Sequence, residues 1–371
     1  MNSDVLIIGG GIQGCAIAYY LARSGVRVTV LEKDSVARHA SGVNAGGVRM
    51  LGRHLAEVEL SKASMKLWGE LDNELDADSG YRSCSLINIA ADAADMETLF
   101  VREQEMRRLG HYHEKIIDQQ ELRERLPHVA HHCVGGVVSE ADGFAIPYKA
   151  TQAYRRAAVR LGASFVEGAR ANSVRRVGNM WLVDTEAGHY EAVHLVNCAG
   201  AWADQISMMI GDDAPLTYSA PMLMITTRMP RFVIPVVGAV SRVLSFKQFE
   251  NGTVLIGGGL KGSADRDTNQ TWLNYRKLAR GVSDAIDFFP IMKTASINRM
   301  WAGIEAYMPD KLPVISPSAC AENAYHAFGF SAHGFQMGPI VGQLMAELIV
   351  GGKPSYSLDA FSIGRFDSRF I

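Results

Sequence analysis

The stretch VLIIGGGIQGCAIAYYLARSGVRVTVLE, residues 5–32, decides the fold. Residues 5–8 are a short apolar run rich in β-branched side chains that ends in glycine, the pattern of a buried strand. Residues 15–24 have helical composition, Gly25 is a natural helix stop, and residues 26–31 read as a second strand closed by Glu32. Between the first strand and the helix stands Gly9-Gly10-Gly11-Ile12-Gln13-Gly14, with GxGxxG spacing. Gly9 permits the tight turn, Gly11 lets backbone approach a pyrophosphate, and Gly14 lets the helix pack on the strand, whose following helix N-terminus faces the phosphate charge. Glu32 is placed to accept both ribose hydroxyls of an adenosine. A glycine-rich structural turn is the plain alternative, but strand, glycine turn, helix, strand and acid in this order point to a dinucleotide. The motif does not choose between FAD and NAD; the acid only disfavours a 2′-phosphate.

Outward from it, Ser41-Gly42-Val43-Asn44-Ala45-Gly46-Gly47-Val48-Arg49 is small, flexible and ends in a cation. Such a loop lets backbone lie against a flat ring system, or is simply a surface loop. Helices are predicted over 55–78, 92–110, 121–126 and 150–161, and strands over 86–90, 134–139, 164–167, 181–185 and 194–199. The last of these runs into Asn197-Cys198-Ala199-Gly200-Ala201-Trp202, small residues at a strand's carboxyl end, where an α/β sheet receives its ligand. Residues 216–300 change texture: short strands at 222–226, 236–240, 243–246 and 253–256, with Asn251-Gly252 as a turn, suggest an antiparallel sheet, followed by a helix over 272–282. The end returns to α/β texture. A strand over 325–328 leads into the glycine-punctuated turn 329–339, and an apolar helix over 340–350 follows. A second glycine turn opening a helix suggests that both ends of the chain fold around one cofactor.

Composition narrows the function. The chain has 371 residues, 48% hydrophobic and 20% charged, enough for a large core in two domains or one large α/β unit. Lys plus Arg is 37, Asp plus Glu is 39, and the net charge of −2 offers no field for nucleic acid. Cysteines stand at 15, 84, 133, 198 and 320 with no CxxC spacing, against a zinc site, an iron–sulfur cluster or a disulfide framework, and in keeping with a reducing cytoplasm. The cluster His128, His131 and His132 follows a helix stop without a carboxylate at ligand spacing and reads as a solvated loop, so no metal is expected. No signal peptide and no 18-residue apolar run stand out, so no membrane span is expected.

These residues resemble the FAD-dependent amine and D-amino-acid oxidoreductases, the group of glycine oxidase, sarcosine oxidase and D-amino-acid oxidase. The resemblance runs nearly end to end. It rests on the GxGxxG with Glu32, on residues 41–49 and 197–202, on Trp301-Ala302-Gly303 followed by Pro309-Asp310, and on Gly329-Phe330-Ser331-Ala332-His333-Gly334-Phe335. Asn44-Ala45-Gly46-Gly47-Val48-Arg49 and Trp301-Ala302-Gly303-Ile304-Glu305-Ala306 look in particular like the β-type catalytic subunits of D-hydroxyproline dehydrogenase, opine oxidase, dye-linked L-proline dehydrogenase and hydrogen cyanide synthase. The resemblance implies an α/β plus α+β protein: a Rossmann-like FAD-binding domain (1–80, 142–215 and 301–371) and a substrate domain (81–141 and 216–300) whose antiparallel sheet roofs the flavin. By the same resemblance Gly9, Gly11, Ile12, Gln13 and Gly14 hold the pyrophosphate, Glu32 and Lys33 the adenosine, and Ala171 falls where a backbone group pairs with adenine. Ser41, Asn44, Ala45, Gly46 and Gly47 run along the flavin, and Ala199, Gly200, Trp202, Gly303, Gly334, Phe335, Gln336 and Met337 complete the cofactor site.

The departures from the family matter. Glycine-oxidase-like members carry an arginine for the substrate carboxylate where this chain has Glu305. Monomeric sarcosine oxidases carry a lysine for it where this chain has Gln336, and attach flavin to a cysteine where this chain has Gly303. Noncovalent FAD is therefore expected, and Arg49 is the substitute carboxylate clamp or an ion pair supporting the flavin loop. The implied reaction is oxidation of the C–N bond of a secondary or D-amino acid to an imine by hydride transfer to the flavin, the substrate being of the D-hydroxyproline or proline, sarcosine or glycine, or opine class. His333 assists proton transfer or packs beside FAD; Glu305 attracts the ammonium or sits at the surface; Trp301 and Tyr307 wall the pocket or pack in the core. Lys261, in Gly257-Gly258-Gly259-Leu260-Lys261, resembles a lysine segment that favours oxygen reaction in sarcosine oxidases. Electrons leave to oxygen, to a quinone or to a partner subunit carrying an electron-transfer cofactor, in the cytoplasm or peripheral to a membrane through that acceptor. The alternative is a flavin-binding subunit active only within a heteromeric complex. An NAD-dependent dehydrogenase leaves the second glycine turn unexplained.

Overall fold

Val5, Leu6 and Ile7 are fully buried because their strand, Asn2–Ile8, runs through the middle of a sheet. A computed structural model of the chain describes residues 2–257 and 259–366. Asn2–Ile8 pairs in parallel with Val28–Glu32 on one side and with Gly188–Asn197 on the other. Beyond them, Val28–Glu32 pairs with Ser164–Glu167, and the end of Gly188–Asn197 pairs with Ala324–Phe328. The parallel core is thus assembled from distant segments, held by crossovers that a helix makes possible. The start of Gly188–Asn197 pairs instead with Met180–Thr185, and that strand with Ala171–Val177, both antiparallel. Burial follows the switch: side chains alternate along the antiparallel part and are buried continuously at Leu195, Val196 and Asn197, where helix and meander cover both faces.

Ile12–Arg23, Val58–Leu75, Pro147–Arg160 and Gly334–Gly351 share one core on one side of this sheet. The first and last helices cross at small residues: a Cβ on Gly342 would lie 2.7 Å from that of Ala16. On the other side Leu6, Leu31 and Leu195 pack against Trp181, Val183 and the Ala203–Ile210 helix.

The second sheet is built on Thr217–Thr226, which pairs antiparallel with Val254–Gly257, Lys261–Asp265, Ile297–Ala302 and Glu305–Tyr307. From Val254–Gly257 it continues through Ser245–Gln248, Val236–Ala239, Leu86–Ala90, Gly135–Ser139 and Lys115–Asp118, and only Val236–Ala239 with Leu86–Ala90 is parallel. One face is apolar: Phe246, Val254, Ile256, Met222 and Met224 pack on Leu278, Ala285 and Phe288 of the Tyr275–Phe288 helix. By strand alternation Lys247 and Leu255, which are cross-strand partners, turn to the opposite face, and both are buried there.

Several sequence expectations need correction. The last helix begins at Gly334 and not at residue 340, so Pro339 lies inside it. Pro339 offers no N–H to the Phe335 carbonyl four residues back; the next carbonyl, that of Gln336, is taken by Ser64 Oγ at 2.6 Å and Trp68 Nε1 at 2.7 Å, so another helix is bonded to this turn. Residues 270–272 form a strand, and the helix starts at Tyr275 behind the Asn274 cap, which accepts from the Lys277 amide. The strand expected over 194–199 runs from Gly188 to Asn197, and Ala171–Val177 is a strand that composition hides. Ile297–Ala302 straddles the 300/301 limit because it pairs with Thr217–Thr226. Among the described residues no disulfide forms, no acidic, His and Cys cluster can hold a metal, and no helix is long and apolar enough to cross a membrane. Met1, Gly258 and residues 367–371, included in the expectations above, lie outside the described residues.

Candidate cofactor and active site

The turn after Asn2–Ile8 is as tight as its glycines allow. Gly9 has φ +112°, and a Cβ there would lie 2.3 Å from the Cys198 carbonyl oxygen. Glu32 is buried and oriented by backbone: Gly10 N donates to one oxygen at 2.7 Å and Asp34 N to the other at 2.9 Å. Burial pushes its carboxyl up, against the lowering effect of those two amides. Lone pairs remain on both oxygens for further donors, which is what a ribose diol supplies. Ala169 N donates to Glu32 O at 2.8 Å and Gly168 N to Asp34 O at 3.0 Å, bringing the segment that carries Ala171 alongside the acid. Glu32→Gln is expected to weaken FAD binding by roughly 10–100-fold through the lost charge-assisted hydrogen bonds. Flavin fluorescence on dilution measures this, and an unchanged affinity would remove Glu32 from the adenosine site.

Ser41 ties the next loop to the helix: Ile12 N donates to Ser41 Oγ at 2.9 Å. Within the loop Gly46 N donates to Asn44 Oδ1 at 2.7 Å, and Ala145 N donates to Gly46 O at 2.9 Å. Gly47 pairs with Phe144. Gln13 reaches across to the last helix, donating to Gly334 O at 2.7 Å, while its own Oε1 is buried without a partner among the described residues. A buried amide oxygen needs a donor, and the hydroxyls of a ribityl chain are donors. The glycine cradle, the oriented carboxylate and this orphaned oxygen fit FAD.

Lys33 and Trp202, both expected at the cofactor, form a clasp that no motif announces. Lys33 Nζ lies 3.8 Å from the centroid of the Trp202 ring and donates to Asn269 Oδ1 at 2.6 Å. Trp202 Nε1 donates to Arg266 O at 2.8 Å, and Arg266 forks onto Asp204 at 2.7 and 2.8 Å. The turn after Lys261–Asp265 is thereby pinned to the parallel sheet's side of the molecule. Gly200, in the left-handed region at φ +57°, opens the Gly200–Trp202 turn.

The other end of the loop meets the second sheet. Trp301 Nε1 donates to Val43 O at 2.8 Å, and a Cβ on Gly303 would lie 2.4 Å from Val43 Cγ2. Glu305 follows, half-buried, and accepts from Tyr307 Oη at 2.8 Å. Burial pushes its carboxyl up, opposed by Tyr307, an Ala332 amide and the charge of Lys261. Lys261 Nζ lies 3.8 Å from the Tyr307 ring centroid.

His333 donates through Nδ1 to Glu57, at 3.0 and 3.2 Å from its two oxygens. Burial, with Arg53 and Arg49 nearby, lowers the His333 pKa despite Glu57, so the ring is neutral near pH 7 and Nε2 is left as an acceptor. Arg49 does not point outward. Its guanidinium folds back to donate to Leu51 O, with Asp142 and Glu57 as its nearby anions. Phe335 packs on Trp68, Met337 is fully buried in the helical core, and the Gln336 side chain donates to Ser61 O and accepts from Arg53, so these side chains are engaged inside the protein.

Sequence reasoning misses Arg53, Glu57 and Lys247. Arg53 is 2% exposed, with Nε on Arg49 O at 3.1 Å, Nη2 on Gln336 and Nη1 without a partner among the described residues. Lys247 is 3% exposed, donates to Ala45 O, and lies 4.5 and 5.4 Å from the ring centroids of Phe144 and Phe249. Nothing in Ser245-Phe246-Lys247-Gln248 announces it: the lysine stands among mostly polar residues, as on the solvent side of a strand.

Residues 4–348 match the model of a family described as FAD dependent oxidoreductase. The chain is 25% identical over 383 residues to an opine oxidase subunit of Rhizobium meliloti, with 99% of this chain and 98% of that protein covered. It is also 25% identical over 391 residues to mitochondrial dimethylglycine dehydrogenase of Mus musculus, with 98% of this chain covered but only 44% of that relative's length. Among solved structures, L-proline dehydrogenase from P. horikoshii superposes with a TM-score of 0.91 at 28% identity, 98% of each chain covered. Glycine oxidase from Geobacillus kaustophilus superposes equally, at 0.91 and 23% identity over 98% of this chain and 99% of that one, a likeness of fold.

Proposed function

Because the chain belongs to the FAD dependent oxidoreductase family and takes FAD as its cofactor, we propose that it oxidises the C–N bond of a secondary or D-amino acid to an imine. The observation that carries this reading is the half-buried Glu305 set against Tyr307, on the strand that follows the contact of Gly303 with the Val43 loop. FAD, held noncovalently, supplies the acceptor for the hydride that leaves the substrate carbon. Glu305 draws in the substrate ammonium. The neutral His333, with Nδ1–H committed to Glu57, offers Nε2 to the proton that the ammonium must lose before its lone pair can assist oxidation. Trp301 and Tyr307 wall the pocket and exclude water. The imine leaves and hydrolyses in solution. Likeness along nearly the whole chain to an opine oxidase component, an L-proline dehydrogenase and a sarcosine oxidase subunit supports a substrate of the proline, opine or sarcosine class.

A second reading is favoured by the names of the relatives. The opine oxidase, hydrogen cyanide synthase and sarcosine oxidase chains among them are each one subunit of a larger enzyme. On this reading the chain works only with partner subunits that carry electrons onward, in the cytoplasm or at a membrane surface. One experiment tests both. The visible spectrum of the purified protein is recorded, then repeated anaerobically with a panel of amino acids and secondary amines. Flavin bands that acid precipitation releases show noncovalent FAD. Bleaching by one compound names the substrate class, and readmitted air separates an oxidase from a dehydrogenase. A yellow protein that nothing bleaches favours the partner-dependent reading; a colourless protein that cannot take up FAD defeats both.

A further inference from the structure

An amino-acid substrate brings a carboxylate out of water, and such a carboxylate needs a cation. The cations of the candidate site differ in how far they are already committed. Arg49 is folded onto its own loop at Leu51 O, with Asp142 and Glu57 beside it. Arg53 is buried against Gln336 and Arg49 O with Nη1 unpartnered among the described residues, but the charges of Glu57 and Asp142 already act on it. Lys33 pairs with Asp34 at 2.8 Å and lies on Trp202. Lys261 lies on Tyr307 and acts on Glu305.

Lys247 is different. It projects from the Ser245–Gln248 strand on the face away from the apolar core, buried between Phe144 and Phe249, and its one hydrogen bond goes to Ala45 O of the 41–49 loop. Among the described residues it has no carboxylate partner. An ammonium has three N–H donors, so two are unspent in a site where water is nearly excluded. Burial pushes its pKa down to about 7, with only the Cys84 thiol acting against that. A buried cation with unspent donors and no anion is costly, and a ligand carboxylate removes the cost. The contact to Ala45 O places it on the loop whose neighbour Val43 touches Trp301 and Gly303, two residues before Glu305.

We infer that Lys247 holds the carboxylate of the substrate, in place of a clamp on the 301–307 segment. This rests on the proposed amino-acid substrate. It makes Lys247 a determinant of selectivity for acids over plain amines.

The test uses the FAD-loaded protein and two probes of one shape, pyrrole-2-carboxylate and pyrrole-2-carboxamide, titrated against the flavin absorption band. The wild type is expected to bind the carboxylate about 100-fold more tightly than the amide. Lys247→Met is expected to lose that preference with its FAD content unchanged, and Lys247→Arg to keep most of it. If the Met variant does not hold FAD, Lys247→Gln is titrated in its place. Carboxylate binding by the Met or Gln variant as tight as wild type overturns the assignment, as does a wild type indifferent to the charge. Anaerobic bleaching of the wild type by an amino acid is measured in parallel. Bleaching with an unchanged Lys247→Met titration refutes the role of Lys247 and leaves the proposed reaction standing. Carboxylate preference without bleaching by any amine leaves the anion site standing and moves the reaction to the partner-dependent reading.

Discussion

Gly14→Ala is expected to give a colourless protein. The new Cβ would lie 2.0 Å from the Gly9 carbonyl oxygen and 3.3 Å from Ile7 Cγ2. The first obstacle is backbone, so no side-chain rotation relieves it, and Gly9 cannot retreat because it is itself held against the Cys198 carbonyl. The helix must therefore lift off the strand by roughly 1 Å to reach a normal contact. Its N-terminal amides, which would hold the pyrophosphate, move with it. So does Gln13, and with it the bond to Gly334 O that joins the two helix starts. The displacement has nowhere to dissipate: a Cβ on Gly338 would already lie 2.7 Å from Ile12, so the first and last helices touch along their length. FAD affinity is expected to fall by more than 1000-fold, about 4 kcal/mol, together with a lower melting temperature that excess FAD restores in part. Gly25→Ala is the control. It meets a left-handed backbone penalty at φ +80°, but its Cβ meets nothing within 4 Å, so that variant is expected to lose about 1 kcal/mol and stay yellow. A yellow Gly14→Ala protein of normal stability would mean that the turn does not carry the cofactor.

That glycine was legible because its reason is local. Residues 5–32 contain the strand, the turn, the helix and the acid, and spacing alone relates them. The core helices and most strands of the second sheet were legible for the same reason, through their apolar periods. What escaped depends on contacts between distant segments. Pro339 reads as a helix breaker, and what ties down the turn before it is a contact from a distant helix, Ser64 and Trp68 donating to the Gln336 carbonyl. Ala171–Val177 reads as polar coil because only one side chain, Val174, is buried at the edge of its sheet. Lys33 and Trp202 were each expected at the cofactor, but their stacking, and the Arg266 and Asn269 clasp, join residues far apart in sequence. Lys247 looks like the solvent side of an alternating strand, and only the loop packed over that face makes it interior. Arg49 reads as a carboxylate clamp or as an ion pair supporting the flavin loop, and its fold-back onto the Leu51 carbonyl, with Asp142 and Glu57 nearby, is likewise a contact that spacing does not announce.

Glu57→Gln is expected to cost about 3–5 kcal/mol of stability at neutral pH. Glu57 is fully buried, and Arg49 and Arg53 both lie within its field. Burial alone would push its carboxyl up; the His333 hydrogen bond and Arg53 outweigh this and hold it below the ordinary glutamate range. Its stabilisation is therefore present above the unfolded pKa of about 4.5 and lost as pH falls through the lower folded value. Glutamine keeps the shape and removes the charge. The gap between wild type and variant should then be full at pH 7 and narrow as the pH drops below about 4.5. His333 titrates with it. Its folded pKa is lowered, so the unfolded chain takes up a proton first as pH falls below about 6.5 and both proteins lose stability there; the variant, without the carboxylate that raises His333, loses more, so the gap widens before it narrows below about 4.5. Denaturant melts at several pH values follow the gap, and a gap that stays constant down to about pH 4 would assign the effect to packing instead of charge. The same substitution reaches the chemistry. A carboxylate accepts only, so it fixes the proton of His333 on Nδ1 and the lone pair on Nε2; an amide can donate as well as accept and releases that constraint. Anaerobic flavin reduction is expected to slow by roughly 10–100-fold, with the FAD content unchanged. A variant that loses stability but reduces its flavin at the wild-type rate would confine Glu57 to charge balance around Arg53 and remove His333 from proton transfer.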